Sequence, residues 1–138
     1  ATTEIYTLSL HDALPIFLQK FNGVVPSNLN NLIELPGVGR KVANVIISEW
    51  FFKTQNIEPE GIVVDTHVKR VSFRLGLTKE TNPYKVDKDL NKQFPKNEWA
   101  DLSLRFIFHG RKTCKAKNPL CSSCPLKNIC PQKGLKRQ

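Results

Sequence analysis

The stretch LPGVGRK, residues 35–41, decides the fold of this 138-residue chain. Apolar helical patterns flank it on both sides, so it predicts a tight turn between two helices, which we place over residues 27–53. Gly37 and Gly39 can adopt positive φ and expose backbone N–H groups, and the helix that begins near Arg40 adds the positive end of its dipole. These features predict a phosphate-binding turn, with an ordinary helix–helix turn as the alternative.

The charge of the chain favours a polyanionic partner. Lysine and arginine number 21 against 12 aspartates and glutamates, which gives a formal net charge of +9. Such a field attracts nucleic acid, although basic residues can also serve solubility alone. We therefore expect the turn to hold a DNA backbone without reading its sequence, through Gly37, Val38, Gly39 and Arg40. No apolar run approaches the roughly 18 residues of a membrane span, so we expect no membrane partner.

Helical patterns joined by short loops fill the first half of the chain. VPSNLNNLIELPG predicts a short helix with Ser27 as its N-cap, ended by Pro36 and Gly37. GRKVANVIISEWFFK predicts the second helix of the hairpin, with Val42, Val45, Ile46 and Phe52 at helical spacing. A polar loop, TQNIEPEG, follows.

The second half of the chain has the same organisation. After the apolar lead-in IVVD, THVKRVSFRLGL predicts a helix with Val68, Val71 and Leu75 on one face. Asn82 and Pro83 begin another helix, since proline is tolerated in a first turn. Pro95 separates that helix from a last one in NEWADLSLRFIFHGRK. The sequence contains no set of alternating strand patterns, so it predicts an all-α fold.

The four cysteines form one cluster near the end of the sequence. Cys114, Cys121, Cys124 and Cys130 follow a C-x6-C-x2-C-x5-C spacing, and no cysteine occurs earlier. A disulfide framework would spread its cysteines, so this clustering predicts a metal or cluster site in a reducing compartment. The spacing matches neither the paired knuckles of a zinc ribbon nor the bacterial ferredoxin run, and four thiolates can hold zinc or an iron–sulfur cluster.

Two residues are candidates for chemistry. Lys41 falls in the first turn of the helix after the hairpin, where the dipole disfavours a cation by about 0.3–1 kcal/mol. This dipole effect is too small to deprotonate the amine at neutral pH, so burial would have to lower its pKa further for Lys41 to act as a nucleophile. The alternative is that Lys41 is an ordinary solvated lysine. Asp65 is either a carboxylate that assists such an amine or the N-cap of the helix that starts near Thr66. We expect His67 and His109 to be structural or to contact phosphate.

Three separated motifs occur together in one order. LPGVGRK, IVVDTH and HGRKTC with the cysteine spacing resemble the endonuclease III family of helix-hairpin-helix DNA glycosylases, over about residues 17–132. The resemblance implies a partial helix-hairpin-helix glycosylase fold in residues 17–111 and an iron–sulfur cluster loop in residues 112–132, followed by a basic tail, 133–138. It also implies that the four cysteines are the ligands of a [4Fe-4S] cluster.

The same resemblance implies an activity. The enzyme would remove an oxidised pyrimidine from double-stranded DNA and cut the strand at the abasic site by β-elimination. Lys41 matches the nucleophile that forms a Schiff base, and Asp65 matches its paired aspartate. Basic residues near the cysteines would contact phosphates, namely Arg111, Lys112, Lys115 and Lys117. We expect the intact protein to be a monomer in the cytoplasm, associated with the nucleoid.

Two features depart from the family pattern. The stretch between Lys41 and Asp65 is longer than expected, and WFFKTQNIEPEG is the expected insertion. The helices that precede the hairpin in the family are absent here, so we expect impaired activity. Three alternatives stay open: the sibling adenine glycosylase, which typically lacks a lysine at position 41, a non-catalytic DNA-binding module, and an iron–sulfur redox protein.

The opening stretch ATTEIYTLSLHDALPIF resembles nothing in the family. Its pattern fits a short strand as well as a helix, and Pro15 would be unfavourable inside a helix. A DNA string that resembles the end of a widely used short-read sequencing adapter, translated in one frame, gives residues 1–16 in full. We therefore expect residues 1–16 to be an adapter-derived extension that contributes no specific packing.

Overall fold

The computed structural model describes the backbone of residues 2–135 and the side chains of residues 12–135. Helices make up the regular structure of this range and no strand occurs in it, which confirms the all-α prediction. This part of the chain divides into two compact units, one ending at Glu60 and one beginning at Gly61. None of the described helices is both long and apolar enough to cross a membrane. Residues 136–138 of the predicted basic tail lie outside the described range.

The first unit is built from α-helical segments and a π-helical turn. These are α1 (Thr2–Phe21), α2 (Leu29–Ile33), α3 (Arg40–Ile46), the π turn (Ile47–Phe51) and α4 (Phe52–Gln55).

Helix α1 covers the opening stretch, so the residues that could also fit a strand are helical. Pro15 lies inside this helix. No side chain between Asp12 and Phe21 is buried. The helix ends where Asn22 and Gly23 adopt positive φ angles of 50° and 73°. Its described side chains therefore contribute nothing to a buried core.

Helix α2 begins at Leu29 because Asn28 caps it. The Asn28 backbone is extended, and its side-chain oxygen accepts a hydrogen bond from the Asn31 N–H at 2.8 Å. The predicted N-cap, Ser27, is therefore wrong by one residue. Serine and asparagine are about equally good caps, so composition does not choose between two such neighbours.

Residues 40–55 form one continuous helical segment, because α3, the π turn and α4 follow each other without a break. The segment ends at Asn56, which adopts the left-handed conformation with φ 54°. The helix therefore runs through the first half of the stretch that we expected to be an inserted loop.

The core of the first unit lies between α2 and this helical segment. Its buried apolar residues are Leu29, Leu32, Ala43, Ile47 and Phe51. Of the four apolar residues at helical spacing, Val42 and Val45 are exposed, whereas Ile46 packs against this core. Ala43 and Ile47, each one residue further along the helix than Val42 and Ile46, pack in the core with α2. The π turn that follows widens the helical repeat.

The second unit contains α5 (Thr66–Arg74), α6 (Pro83–Asn91), a short 3-10 turn (Lys96–Glu98) and α7 (Trp99–Lys112). The predicted helices of this half are confirmed, including the proline at the start of α6. Its core consists of eight buried apolar residues, Ile62, Val64, Val68, Val71, Val86, Leu90, Leu102 and Phe106. The predicted α5 face is thus confirmed in the core, with Leu75 packed against it.

The lead-in to Asp65 is buried and hydrogen-bonded. The Ile62 N–H donates to a carboxylate oxygen of the buried Asp87 at 2.7 Å. The Ser103 hydroxyl donates to the Val63 carbonyl at 2.7 Å. These bonds fix the backbone that leads into Asp65 and the start of α5.

Candidate functional site

The turn between α2 and α3 holds its two glycines in different conformations. Gly37 has φ +83°, which is the left-handed region that the sequence suggested. Gly39 does not use that freedom, because it is the extended N-cap of α3 with φ −81° and ψ 171°. A Cβ added at Gly39 would meet no atom within 4 Å, so this backbone faces open space.

The start of α3 directs backbone N–H groups out of the helix. Helical bonding begins with the Ala43 N–H, which donates to the Gly39 carbonyl at 3.0 Å. The N–H groups before Ala43 have no helical carbonyl one turn back, and the first turn carries no acidic residue. With the dipole and the open space at Gly39, this arrangement can accept a phosphate group.

Lys41 lies in that first turn, as the sequence predicted, and its side chain is exposed. The burial that would make its amine a good nucleophile is therefore not supplied by the described residues. Desolvation by a bound substrate is the remaining physical route.

Asp65 caps α5, which confirms the capping alternative. Its Oδ1 accepts a hydrogen bond from the Val68 N–H at 2.8 Å, and the residue is half-buried. This places a carboxylate at the N-terminus of α5. Lys41 belongs to the first unit and Asp65 to the second, and the catalytic roles of both stay predictions.

The four cysteines line one apolar cavity in the second unit, together with His109, Leu120 and Leu126 among others. Burial raises the pKa of the Cys121 thiol, and the negative charges of the thiolates Cys114, Cys124 and Cys130 raise it further. The thiols are thus close enough to repel each other as anions. Such a set needs a cationic centre to hold all four sulfurs deprotonated.

A single zinc ion and an iron–sulfur cluster require different spacings of the four sulfurs. A tetrahedral zinc with Zn–S bonds of about 2.3 Å needs sulfurs about 3.8 Å apart. Within the described residues, no three His, Cys, Asp or Glu side chains are grouped closely enough to hold one metal ion. In an iron–sulfur cubane each cysteine binds a different iron, so its ligand sulfurs stand further apart.

Arg74 is the functional residue that sequence analysis missed. It is buried, and its guanidinium donates to the carbonyls of Lys115 at 2.7 Å and Ala116 at 3.1 Å, and to Cys114 Sγ at 3.3 Å. Arg70, one turn earlier, donates to the Cys114 carbonyl at 3.1 Å. The signal was present as two arginines four residues apart on a predicted helix, a spacing that places both on one face.

The two histidines beside this site have structural contacts. His67 Nδ1 lies 3.0 Å from an Arg70 Nη atom. His109 Nε2 lies 3.8 Å from Cys124 Sγ, and burial lowers the pKa of His109. Gly110 permits the close packing of α5 on α7, because an added Cβ would be 3.0 Å from the His67 ring.

The predicted basic contacts are exposed around the cysteine loop. Arg111 and Lys112 end α7, and Lys115 and Lys117 lie between the first two cysteines. Because Arg74 holds the carbonyls of Lys115 and Ala116, the backbone of this basic loop is fixed while its lysines face solvent. That geometry is suited to phosphate contacts.

The hairpin and the cysteine loop together define the class of protein. Residues 20–49 match the family model of the helix-hairpin-helix motif, and residues 114–130 match that of the iron-sulfur binding domain of endonuclease III. The chain therefore contains a helix-hairpin-helix motif and an iron-sulfur binding domain, which supports the predicted [4Fe-4S] cofactor.

The curated proteins that this chain resembles include several named endonuclease III. The chain is 45% identical over 114 residues to endonuclease III of Synechocystis sp., which covers 83% of this chain and 50% of the relative. It is 42% identical over 123 residues to endonuclease III of Bacillus subtilis, which covers 88% of this chain and 53% of the relative. The chain is a relative of endonuclease III, and it spans about half the length of the curated relatives it matches.

Solved structures agree with this relationship. A trapped endonuclease III–DNA covalent intermediate matches with a TM-score of 0.79 and 42% identity, covering 90% of this chain and 56% of that one. A non-covalent endonuclease III–DNA complex matches with a TM-score of 0.75 and 42% identity, covering 87% and 54%. A thermostable thymine-DNA glycosylase, at 0.75 and 20% identity, supports the fold alone. The predicted partial helix-hairpin-helix glycosylase fold is thereby confirmed.

Proposed function

We propose that this chain is the part of a base-excision DNA repair enzyme that holds damaged DNA and carries its nucleophile. The observation that carries the proposal is the position of Lys41. Lys41 lies in the first turn of α3. The N–H groups of that turn and the open space at Gly39 can hold a DNA phosphate. An amine at that place lies next to the backbone of a bound strand, where the sugar carbon to be attacked is also found.

The proposed reaction is that of a glycosylase and lyase acting on an oxidised pyrimidine. The neutral Lys41 amine attacks C1′ of the deoxyribose, and the bond from C1′ to the base breaks with its electron pair leaving on the base. The bond from C1′ to the ring oxygen then breaks, its electron pair and a proton go to that oxygen, and a Schiff base forms. The Schiff base acts as an electron sink when water removes a proton from C2′, so that a C2′–C3′ double bond forms and the 3′ phosphate departs with its bonding electrons. The Asp65 carboxylate stabilises the positive charge that develops on the sugar and takes the proton of the amine. The damaged base must leave the stack, and DNA bound over Lys41 supplies the desolvation that the described residues do not.

The cysteine loop has a structural role in this proposal. Cys114, Cys121, Cys124 and Cys130 hold the [4Fe-4S] cluster, and the cluster pins both ends of the basic loop that carries Lys115 and Lys117. Arg111 and Lys112 extend the same basic surface. Thiolate ligands of this kind require a reducing compartment, and we propose the cytoplasm, with the protein associated with the nucleoid and monomeric when intact.

Borohydride trapping on abasic-site DNA tests the nucleophile. The Schiff base is reduced to a stable covalent adduct, so the full chain is expected to give a shifted band that Lys41→Ala abolishes while duplex binding stays within about twofold. Lys53→Ala is the matched control, because Lys53 lies on the same helical segment and pairs only with Glu49 in the first unit. Equal trapping by Lys41→Ala would remove Lys41 as the nucleophile.

A non-catalytic DNA-binding module is the second candidate, and the exposure of Lys41 favours it. It requires duplex binding through the hairpin with no adduct under any borohydride condition. The adenine glycosylase alternative requires base release opposite a lesion without trapping. The same experiment, run on a damaged-base duplex and an abasic duplex, separates all three.

We also propose that residues 1–16 are foreign to this enzyme and that residues 17–111 and 112–132 are its glycosylase part and cluster loop. The absence of buried side chains between Asp12 and Phe21 supports the first assignment, as does Pro15 inside α1. A helix whose sequence had been selected for this fold would present an apolar stripe to a core.

A further inference from the structure

The second unit carries an open cavity of about 500 Å³ beside α5. Its lining contains four cationic side chains, Lys69, Arg70, Arg74 and Lys133. Glu80 is the one carboxylate among the described lining residues, and its Oε2 lies 3.7 Å from the Lys85 ammonium. The cavity therefore has a positive potential that its own acidic residue does not neutralise.

The walls of this cavity are fixed to each other. The Lys133 N–H donates to the Arg74 carbonyl at 3.2 Å, which anchors the segment after the last cysteine on the end of α5. Gly134 lies so close to Phe73 that an added Cβ would be 3.0 Å from the ring. The cavity is therefore a built feature of the second unit, set by backbone bonding and close packing.

The arginines and lysines contribute to the cavity in different ways. Arg70 and Arg74 donate to backbone carbonyls of the Gly110–Ala116 region, so their charges are fixed while their N–H groups are engaged. Lys69 and Lys133 are half-buried, and neither ammonium has an anionic partner among the described residues. Two such ammonium groups near two fixed guanidinium groups are stabilised by an added anion.

We propose that Lys69 and Lys133 bind backbone phosphates of DNA, as a contact separate from the hairpin and from the loop lysines Lys115 and Lys117. The proposal rests on the DNA-binding function proposed above. A phosphodiester supplies the charge and the acceptor oxygens that the two ammonium groups lack, and the wide mouth of the cavity suits a polymer rather than an enclosed small molecule. The contact would position DNA on α5, the helix that Asp65 caps, without reading its sequence.

The test measures the salt dependence of duplex binding by the full chain. Each phosphate contact contributes about 0.9 to the slope of log K against log salt, so Lys69→Gln with Lys133→Gln is expected to lower the slope by about 1.8. Glutamine keeps most of the side-chain volume, which limits loss of packing. The matched control is Lys79→Gln with Lys88→Gln, which removes the same charge from exposed lysines of the same unit that do not line this cavity. The control is expected to change the slope by less than about 0.5.

Acetylation of lysines, read by mass spectrometry with and without DNA, is the second measurement and needs no variant. DNA is expected to protect Lys69 and Lys133 while leaving Lys79 and Lys88 reactive. An unchanged slope with unprotected Lys69 and Lys133 overturns the proposal. If the DNA-binding function itself fails, Lys115→Gln with Lys117→Gln leaves the slope unchanged as well, which separates the two failures.

Discussion

Asp65 combines a structural and a proposed chemical task in one carboxylate. Its Oδ1 caps α5 through the Val68 N–H, while the proposed chemistry needs its negative charge. Asparagine is as good an N-cap as aspartate but has no charge. The two tasks can therefore be separated by choosing the substituted side chain.

We expect Asp65→Asn to leave stability within about 0.5 kcal/mol and to slow release of the damaged base by about a hundredfold, as loss of one charge-stabilising group does. Asp65→Ala should add a loss of about 1 kcal/mol, or roughly 4 °C in melting temperature, because the cap is also removed. Thermal unfolding and single-turnover base release check both variants. If Asp65→Asn releases the damaged base as fast as the parent chain does, Asp65 has only the capping role.

Arg74 offers a second test at the scale of one side chain. Its planar guanidinium reaches the carbonyls of Lys115 and Ala116 and Cys114 Sγ together, which a lysine ammonium cannot do. We expect Arg74→Lys to destabilise the cysteine loop by about 2 kcal/mol, since the charged hydrogen bonds of the guanidinium to two carbonyls are lost. Iron content and the rate of visible bleaching in air should both show faster cluster loss.

Arg105 provides the control for that experiment. It is an exposed arginine of the same unit, 3.6 Å from Glu98 across an ion pair of the kind that contributes little. Arg105→Lys should leave cluster lifetime unchanged. If Arg74→Lys retains iron as long as this control, the arginine contacts do not support the loop.

The residue scale also shows what sequence could and could not supply. Spacing alone grouped the four cysteines, because ligands of one centre must lie close along a short loop. The sequence did not identify Arg74, because its partners, Lys115 and Ala116, lie about forty residues away along the chain. Its contacts are also to backbone carbonyls, which every residue has. Local patterns do not encode such long-range bonds to the main chain.

At the scale of elements, the hairpin separates two uses of glycine. Gly37 needs its freedom for a φ of +83°, whereas Gly39 has an ordinary φ and leaves open space instead. The first is a conformational requirement of the free protein. The second matters only when another molecule approaches the start of α3.

We expect Gly37→Ala to cost about 1–2 kcal/mol, because an L side chain is strained in the left-handed region. Gly39→Ala should cost less than about 1 kcal/mol, because its added methyl meets no protein atom and only the N-cap preference is lost. Its duplex affinity should nevertheless fall about tenfold, since the methyl occupies the phosphate position. Melting curves and binding titrations distinguish the two variants, and full affinity in Gly39→Ala would contradict a phosphate at this turn.

The helix after the hairpin shows where periodicity stops being informative. Sequence predicted the helix from apolar residues at helical spacing, and two of these residues, Val42 and Val45, are exposed. In their place Asn44 and Ser48 are buried, at 3% and 2% exposure, which no apolar pattern would indicate. The π turn at Ile47–Phe51 then breaks the 3.6-residue repeat on which such predictions rest. In α5, where the repeat is regular, the predicted face was correct.

At the scale of the whole molecule, the opening helix contrasts with the rest of the described chain. Helices α2 to α7 each contribute buried side chains, apart from the short α4, whereas α1 contributes none between Asp12 and Phe21. Pro15 removes a helical hydrogen bond and clashes with the preceding turn, a cost of about 3 kcal/mol in a helix interior. A helix with that cost and no buried side chain among residues 12–21 has little in this described part to hold it in place.

We therefore expect deletion of residues 1–16 to change the free energy of unfolding by no more than about 0.5 kcal/mol. The reason is that none of the side chains described in this stretch, those of residues 12–16, is buried, so their removal opens no cavity in the described core. The measurement compares melting of residues 1–138 and 17–138, with hydrogen exchange to follow the amides of α1. Strong protection of those amides in the full chain, together with loss of cooperative melting in 17–138, would show that the stretch was selected for this fold and is not adapter-derived.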